Sequence, residues 1–195
     1  MFARTTRLLL RPSWPEDAAE LHAAIADEGI VRNLARAPWP YTPGDAVSFA
    51  ALDHDPIYPN FLLMLRTDGA PRIVGSCGLG ERGGEAELGY WIARPYWGLG
   101  FASEAARAVV GVAKAIGHQR LIAGHFTDNP ASGHVLRKLG FNATGKTELR
   151  HSLGRSEHVP CALYEKELAA GDEGDPVTDA MRFMLERYSP AALAA

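Results

Sequence analysis

A chain of 195 residues, 47% hydrophobic and 22% charged, has the material for a packed core and is not a disordered or fibrous protein. The length fits one domain with a short appendage, and a formal net charge of −3 supplies no basic field for nucleic acid, suiting an amine-bearing partner better. The two cysteines, Cys77 and Cys161, lie too far apart for a metal-binding spacing and exclude a disulfide framework.

In chain order, residues 7–11 read as a first strand. Its Leu8-Leu9-Leu10 run is too short for a signal-peptide core and is stopped by Arg11-Pro12. No stretch approaches membrane-spanning length, so a cytoplasmic protein is expected, with neither membrane nor nucleic acid as a partner. Ser13-Trp14-Pro15-Glu16 has the pattern of a capping box with Ser13 at the cap, opening a helix to about Asp27. Residues 35–41 form a loop rich in Pro and aromatics. Thr42-Pro43 then caps a second helix. Strands follow at 60–66, 72–79 and 85–92, separated by turn signals at Asp68-Gly69 and at 80–84, as in an antiparallel meander. Beyond a Pro- and Gly-punctuated loop at 94–100, residues 101–116 are helical and Gly117 ends the helix. A strand at 121–126, a short helix from Asn129-Pro130 to Gly140, and strands at 141–147 and 161–168 complete the domain, residues 1–170. The acidic segment 171–175 reads as a linker within an appendage of 171–195. It leads to an amphipathic C-terminal helix whose stripe (Val177, Ala180, Met181, Met184, Leu185, Tyr188) packs either on its own domain or on a second copy in a homodimer.

Trp97-Gly98-Leu99-Gly100 carries the most specific chemistry. It stands between a strand and a helix, where the first N–H groups of the helix lack partners and its dipole favours an anion. Glycines there let the backbone approach a phosphate closely. A dinucleotide fingerprint requires a third Gly where Ser103 stands, and the P-loop pattern lacks its Lys-Ser/Thr.

The surrounding residues resemble a known family. The segments are Thr6-Arg7-Leu8-Leu9-Leu10-Arg11-Pro12, Ala37-Pro38-Trp39-Pro40-Tyr41-Thr42, and Gly89-Tyr90-Trp91-Ile92 followed by Tyr96-Trp97-Gly98-Leu99-Gly100-Phe101-Ala102-Ser103-Glu104-Ala105. Asn129-Pro130-Ala131-Ser132 with Lys138-Leu139-Gly140-Phe141 completes the set. Together they are similar to the GNAT N-acetyltransferases, in the branch of the ribosomal-protein alanine and serine acetyltransferases. One departure is Pro95, where the wider family has Gln or Arg. The resemblance implies the GNAT fold, an α/β (α+β) architecture. It has a mixed, mostly antiparallel central sheet of six to seven strands flanked by helices, here followed by the C-terminal helix. It also implies acetyl-CoA as co-substrate and no metal. Ile92 and Ala93 would meet the pantetheine arm; Trp97, Gly98, Leu99, Gly100, Phe101 and Ala102 would hold the pyrophosphate; Asn129 and Ser132 would line the thiol end. Asn129 before Pro130 is equally an N-cap.

Acetyl transfer to an amine needs a base and a proton source for the leaving thiolate. In strand 85–92, alternation puts Glu87 on the face opposite Ala86, Leu88, Tyr90 and Ile92, which marks it as the base; His125 is a second candidate. Many GNAT enzymes use a Tyr as the acid where this chain has Leu136, so Ser132 is the substitute. Residues 33–41 and 148–158, with Arg150, His151 and Arg155, are expected to shape the acceptor side: a protein N-terminus or a small amine. A non-catalytic acyl-CoA-binding module is the alternative.

Overall fold

The computed structural model describes residues 1–67 and 69–168. The C-terminal linker and helix expected from sequence lie outside the described residues, as does Asp68 of the expected 68–69 turn. The elements are β1 (Ala3–Arg4), β2 (Leu8–Arg11), α1 (Ala18–Ile25), α2 (Glu28–Val31), α3 (Pro43–Ala50), β3 (Asn60–Leu65), β4 (Arg72–Arg82), β5 (Glu85–Ile92), α4 (Phe101–Ala115), β6 (Arg120–Phe126), α5 (Pro130–Lys138), β7 (Asn142–Ser152) and β8 (Glu157–Glu167). They build one eight-stranded sheet in the order β1-β2-β3-β4-β5-β6-β8-β7. Every strand pair is antiparallel except β5 with β6, which are joined by the α4 crossover and run parallel.

Strand alternation sends side chains into two cores, one on each face. Phe61, Leu63, Leu88 and Ile92 pack with Phe101, Ala105, Val109 and Val112 of α4. Leu62, Met64, Ile73 and Trp91 pack with Leu21, Ile25, Ile30 and Ala46 from α1–α3. The alanines along the inner face of α4 let it lie close to the sheet.

Some boundaries differ from the sequence reading for physical reasons. Ser13 does not cap α1. It is buried, Glu16 is exposed, and Asp17 Oδ2 accepts the Trp14 N–H at 2.8 Å. Asp17 is recruited because the buried Arg11 guanidinium needs a bidentate partner, at 2.6 and 2.7 Å. The helix stops at Ile25, and Asp27 caps the separate α2 by accepting the Gly29 N–H at 2.8 Å. β4 runs to Arg82 because Gly83 and Gly84, both at positive φ, form a two-residue hairpin turn to β5. The polar stretch expected as a loop after residue 147 is a hairpin: β7 and β8 pair out to Ser152 and Glu157.

The tip of that hairpin is tied to the segment after α2. Ser152 Oγ donates to the Leu34 carbonyl at 3.2 Å, and the Leu153 N–H to that of Ala35 at 3.0 Å. Arg155 donates to the Arg32 carbonyl and holds Asp128 through both Nη atoms, at 2.7 and 2.9 Å.

Candidate active site

β5 and β6 pair only through Ala86–Leu121, Glu87–Ile122 and Leu88–Ala123; beyond Leu88 the strands part. On its other edge β5 stays zipped to β4 through Gly75–Ile92, and the Ala93 N–H donates to the Val74 carbonyl at 2.9 Å. Alternation therefore turns the backbone groups of Tyr90 and Ile92 toward the opening. The Ile92 carbonyl accepts the Trp97 indole N–H at 2.6 Å and keeps one lone pair. Of the two residues expected to offer backbone groups to a pantetheine arm, Ile92 faces the gap, while Ala93 has committed its N–H to β4.

The next turn leads into α4 through Gly98 and Gly100, at φ 76° and 82°. That left-handed backbone is strained for any residue with a Cβ, and the space above Gly98 is open. The first helical bond is from the Glu104 N–H to the Gly100 carbonyl. Among the described residues no acceptor takes the consecutive N–H groups of residues 98–103. With the positive end of the α4 dipole behind them, they form an anion cradle. Leu99 is exposed, Ala102 half-buried, and Phe101 roots the turn in the core.

A latch from the amino-terminal strands fixes this turn. Arg7 donates to the Leu99 carbonyl at 3.0 Å, pairs with Glu104 at 2.6 Å, and stacks its guanidinium on Phe101. Thr5 Oγ1 donates to Glu104 at 2.6 Å. Burial works against the Glu104 charge, yet the Thr5 and Arg7 bonds hold its carboxyl below the usual range. Glu104 falls within the motif read from sequence, but its bonds to Thr5 and Arg7 were not legible, because nothing local in sequence links them.

On the facing side, Asn129 caps α5 by accepting the Ser132 N–H at 3.4 Å and also lines the cleft. Ser132 Oγ lies 2.9 Å from Tyr90 Oη. Leu136, at the family's tyrosine position, is buried in the core. His125 donates from Nδ1 to the Phe126 carbonyl at 2.8 Å, which leaves Nε2 as the lone-pair nitrogen, 3.4 Å from Tyr164 Oη.

Glu87 lies on the α1–α3 face, as alternation predicts, across from Gly80 of β4. Its Oε1 accepts from Arg150 at 2.8 Å and faces Arg82 at 3.6 Å. Both guanidiniums also pair with Glu148. Glu87 raises the basicity of Arg150 against the opposing effect of burial. Gly124 clears the path: a Cβ there would stand 2.8 Å from Cys161 Sγ and 3.4 Å from Arg150 Nη2. Of the three polar residues expected on the acceptor side, only Arg150 lines the cleft. Arg155 is spent on Asp128, and His151 meets His158 edge-on.

One cavity of about 1010 Å³ joins these parts. It runs from Gly98 and Gly100–Ser103 past Tyr90, His125 and Ser132 to Glu87, then on to Asn33–Pro38, Phe49 and Asn60. Among the described residues no helix is long and apolar enough to cross a membrane, and no group of three or more His, Cys, Asp or Glu is placed to hold a metal.

A sheet opened beside a glycine-led helix N-terminus, with carboxylate and hydroxyl groups along the same cleft, joins an anion cradle to polar side chains in one continuous site. Residues 7–142 match the Acetyltransferase (GNAT) domain family. The chain is 32% identical over 149 residues to the "Uncharacterized N-acetyltransferase YoaA" of Bacillus subtilis (strain 168), covering 72% of this chain and 82% of that one. A GNAT-family acetyltransferase from Bacillus anthracis superposes with a TM-score of 0.73 at 24% identity, over 86% of this chain and 98% of its own. RimL, a ribosomal-protein α-N-acetyltransferase solved with coenzyme A, does so with a TM-score of 0.73 at 18% identity, over 88% and 100%. The chain belongs to the GNAT acetyltransferase family and is an acetyl-CoA-dependent acetyltransferase.

Proposed function

We propose that the protein transfers the acetyl group of acetyl-CoA to the primary amine of a protein N-terminus or a small molecule, by direct attack of the amine on the thioester. The carrying observation is the single cavity that links the N–H cradle at 98–103 to Glu87 through the opening between β5 and β6. In this reading the cradle, with Trp97 alongside, takes the pyrophosphate. The Ile92 edge of β5, with Ala93 beside it, receives the pantetheine arm, and Asn129 and Ser132 line its thiol end. The acceptor enters from the α1–α3 side.

Glu87 is the base. Its Oε1 is anchored by Arg150, whereas Oε2 has no partner among the described residues and is free to take the amine's proton. Attack forms the C–N bond and moves the carbonyl pair onto oxygen. Collapse restores C=O and sends the C–S pair to sulfur, where the Ser132 hydroxyl meets the charge. The proton lost by the amine completes the thiol through solvent. Residues 1–170 carry this chemistry in a cytoplasmic setting, and 171–195 are an appended segment that pairs two copies or folds back.

The test is release of free CoA when the protein meets acetyl-CoA and a panel of N-terminal peptides, polyamines and aminoglycosides. Glu87→Gln is expected to keep acetyl-CoA affinity and lose on the order of a hundredfold in kcat. Unchanged turnover removes Glu87 from the mechanism. Failure of acetyl-CoA at roughly millimolar concentration to raise the melting temperature overturns the whole reading.

A further inference from the structure

Tyr90 and His125 reach α5 from the two strands that part. Tyr90 Oη lies 2.9 Å from Ser132 Oγ and 3.1 Å from the Ser132 carbonyl. His125 lies under Gly133, where a Cβ would come within 2.4 Å of its Nε2. The first turn of α5 thus bridges the opening, and Tyr90 is its hydrogen-bonded support on the β5 side.

Counting protons gives that contact a direction. Tyr90 has one O–H, and the Ser132 carbonyl can only accept. If the phenol donates to the carbonyl, the Ser132 proton points back at Tyr90. If the phenol donates to Oγ, the Ser132 proton is released toward the cleft. Both acceptors are within reach, so a small rotation of one O–H exchanges the two arrangements. The phenol is held neutral, its pKa pushed up first of all by burial, so it donates without losing its proton.

We propose that Tyr90 is a positioning residue for the departing sulfur: by donating to Ser132 Oγ it turns the serine proton toward the thiolate and strengthens that hydroxyl as a donor. The proposal rests on the Ser132 role given above. When the C–S pair moves to sulfur, Ser132 donates a hydrogen bond to it and Tyr90 donates to Ser132. Tyr90 keeps its proton throughout.

The experiment measures kcat, acetyl-CoA affinity and melting temperature for Tyr90→Phe, Ser132→Ala and the double variant in the full chain. Tyr90→Phe is expected to lower kcat on the order of tenfold with acetyl-CoA affinity within about twofold of the parent. In the Ser132→Ala background it should have no further effect, because its action passes through that hydroxyl. Losses that multiply in the double variant overturn the proposal, as does a Tyr90→Phe variant at parental kcat beside a slow Ser132→Ala. Parental kcat in Ser132→Ala instead removes the underlying role of Ser132. A 3-fluorotyrosine at position 90 keeps the shape and makes a stronger donor. It should raise kcat, and an unchanged kcat there also overturns the proposal.

Discussion

The Trp97 indole donates to the Ile92 carbonyl at 2.6 Å, tying the last residue of β5 to the glycine turn that opens α4. The turn therefore holds its shape through a side chain that is itself nearly half exposed. Trp97→Phe keeps an aromatic ring and loses the bond. It is expected to cost about 1 kcal/mol in stability and to weaken acetyl-CoA several-fold, measured by urea unfolding and by calorimetry.

Gly98→Ala separates backbone strain from ligand binding. Nothing crowds the added methyl, so the left-handed φ alone should cost about 1–2 kcal/mol. The methyl stands over the free N–H groups, and acetyl-CoA affinity should fall roughly tenfold or more, beyond what the stability loss explains. Retention of full affinity in the folded variant would show that no phosphate lies against this turn.

The Arg11–Asp17 pair is buried on both sides and forked. Asp17→Asn leaves an uncompensated buried guanidinium and should cost about 3 kcal/mol. Burial opposes the Asp17 charge, but bonds from Arg11 and from the Trp14 N–H hold its carboxyl below the usual value. A carboxyl depressed in the folded state stabilises at pH above its unfolded pKa, about 3.9, and loses that contribution as pH falls through the folded value. The gap between parent and variant in denaturant midpoint should be full at neutral pH and shrink below about pH 4.

Gly133→Ala drives a methyl into the His125 ring. An overpacking loss of about 1–3 kcal/mol is expected, with a drop in kcat as α5 shifts Ser132. His125→Ala should restore most of the stability lost by Gly133→Ala, a coupling that a double-mutant cycle reads directly. Independent, additive losses would place the strain elsewhere.

The fold's outline was legible because the elements that carry it are long and locally consistent. The α4 helix, the Thr42 cap and the Asn129 cap all stand where sequence places them. Two short elements were not legible: β1 has two residues and α2 has four, too few to show a period. β7 was read from sequence only as far as residue 147, and its far half was taken for loop, for another reason. It is an edge strand with a bulge at Gly145, so it buries little and shows no apolar alternation.

The site divides along the same line. The glycine turn is contiguous and could be read directly. The Glu87–Arg150 and Tyr90–Ser132 contacts join residues 63 and 42 apart, and only the sheet's topology brings them together. Arg150 was singled out as an acceptor-loop residue, but its place on a strand aimed at Glu87 follows from a hairpin longer than its turn signals suggested.

The parting of β5 from β6 also bears on solubility. Unpaired strand edges normally invite other chains, and proteins blunt the ones they expose. The outer edges of this sheet are blunt: β1 is two residues long and β7 is bulged and charged. The edges between β5 and β6 are bare but face each other in the interior, with α4 and α5 over one side and the α1–α3 layer over the other. Set between those layers, the bare edges are held back from neighbouring chains, and a slender molecule carrying its own amides can pair with them. The interrupted ladder thus offers strand-like hydrogen bonding to a small partner while screening it from the chains that would otherwise aggregate upon it.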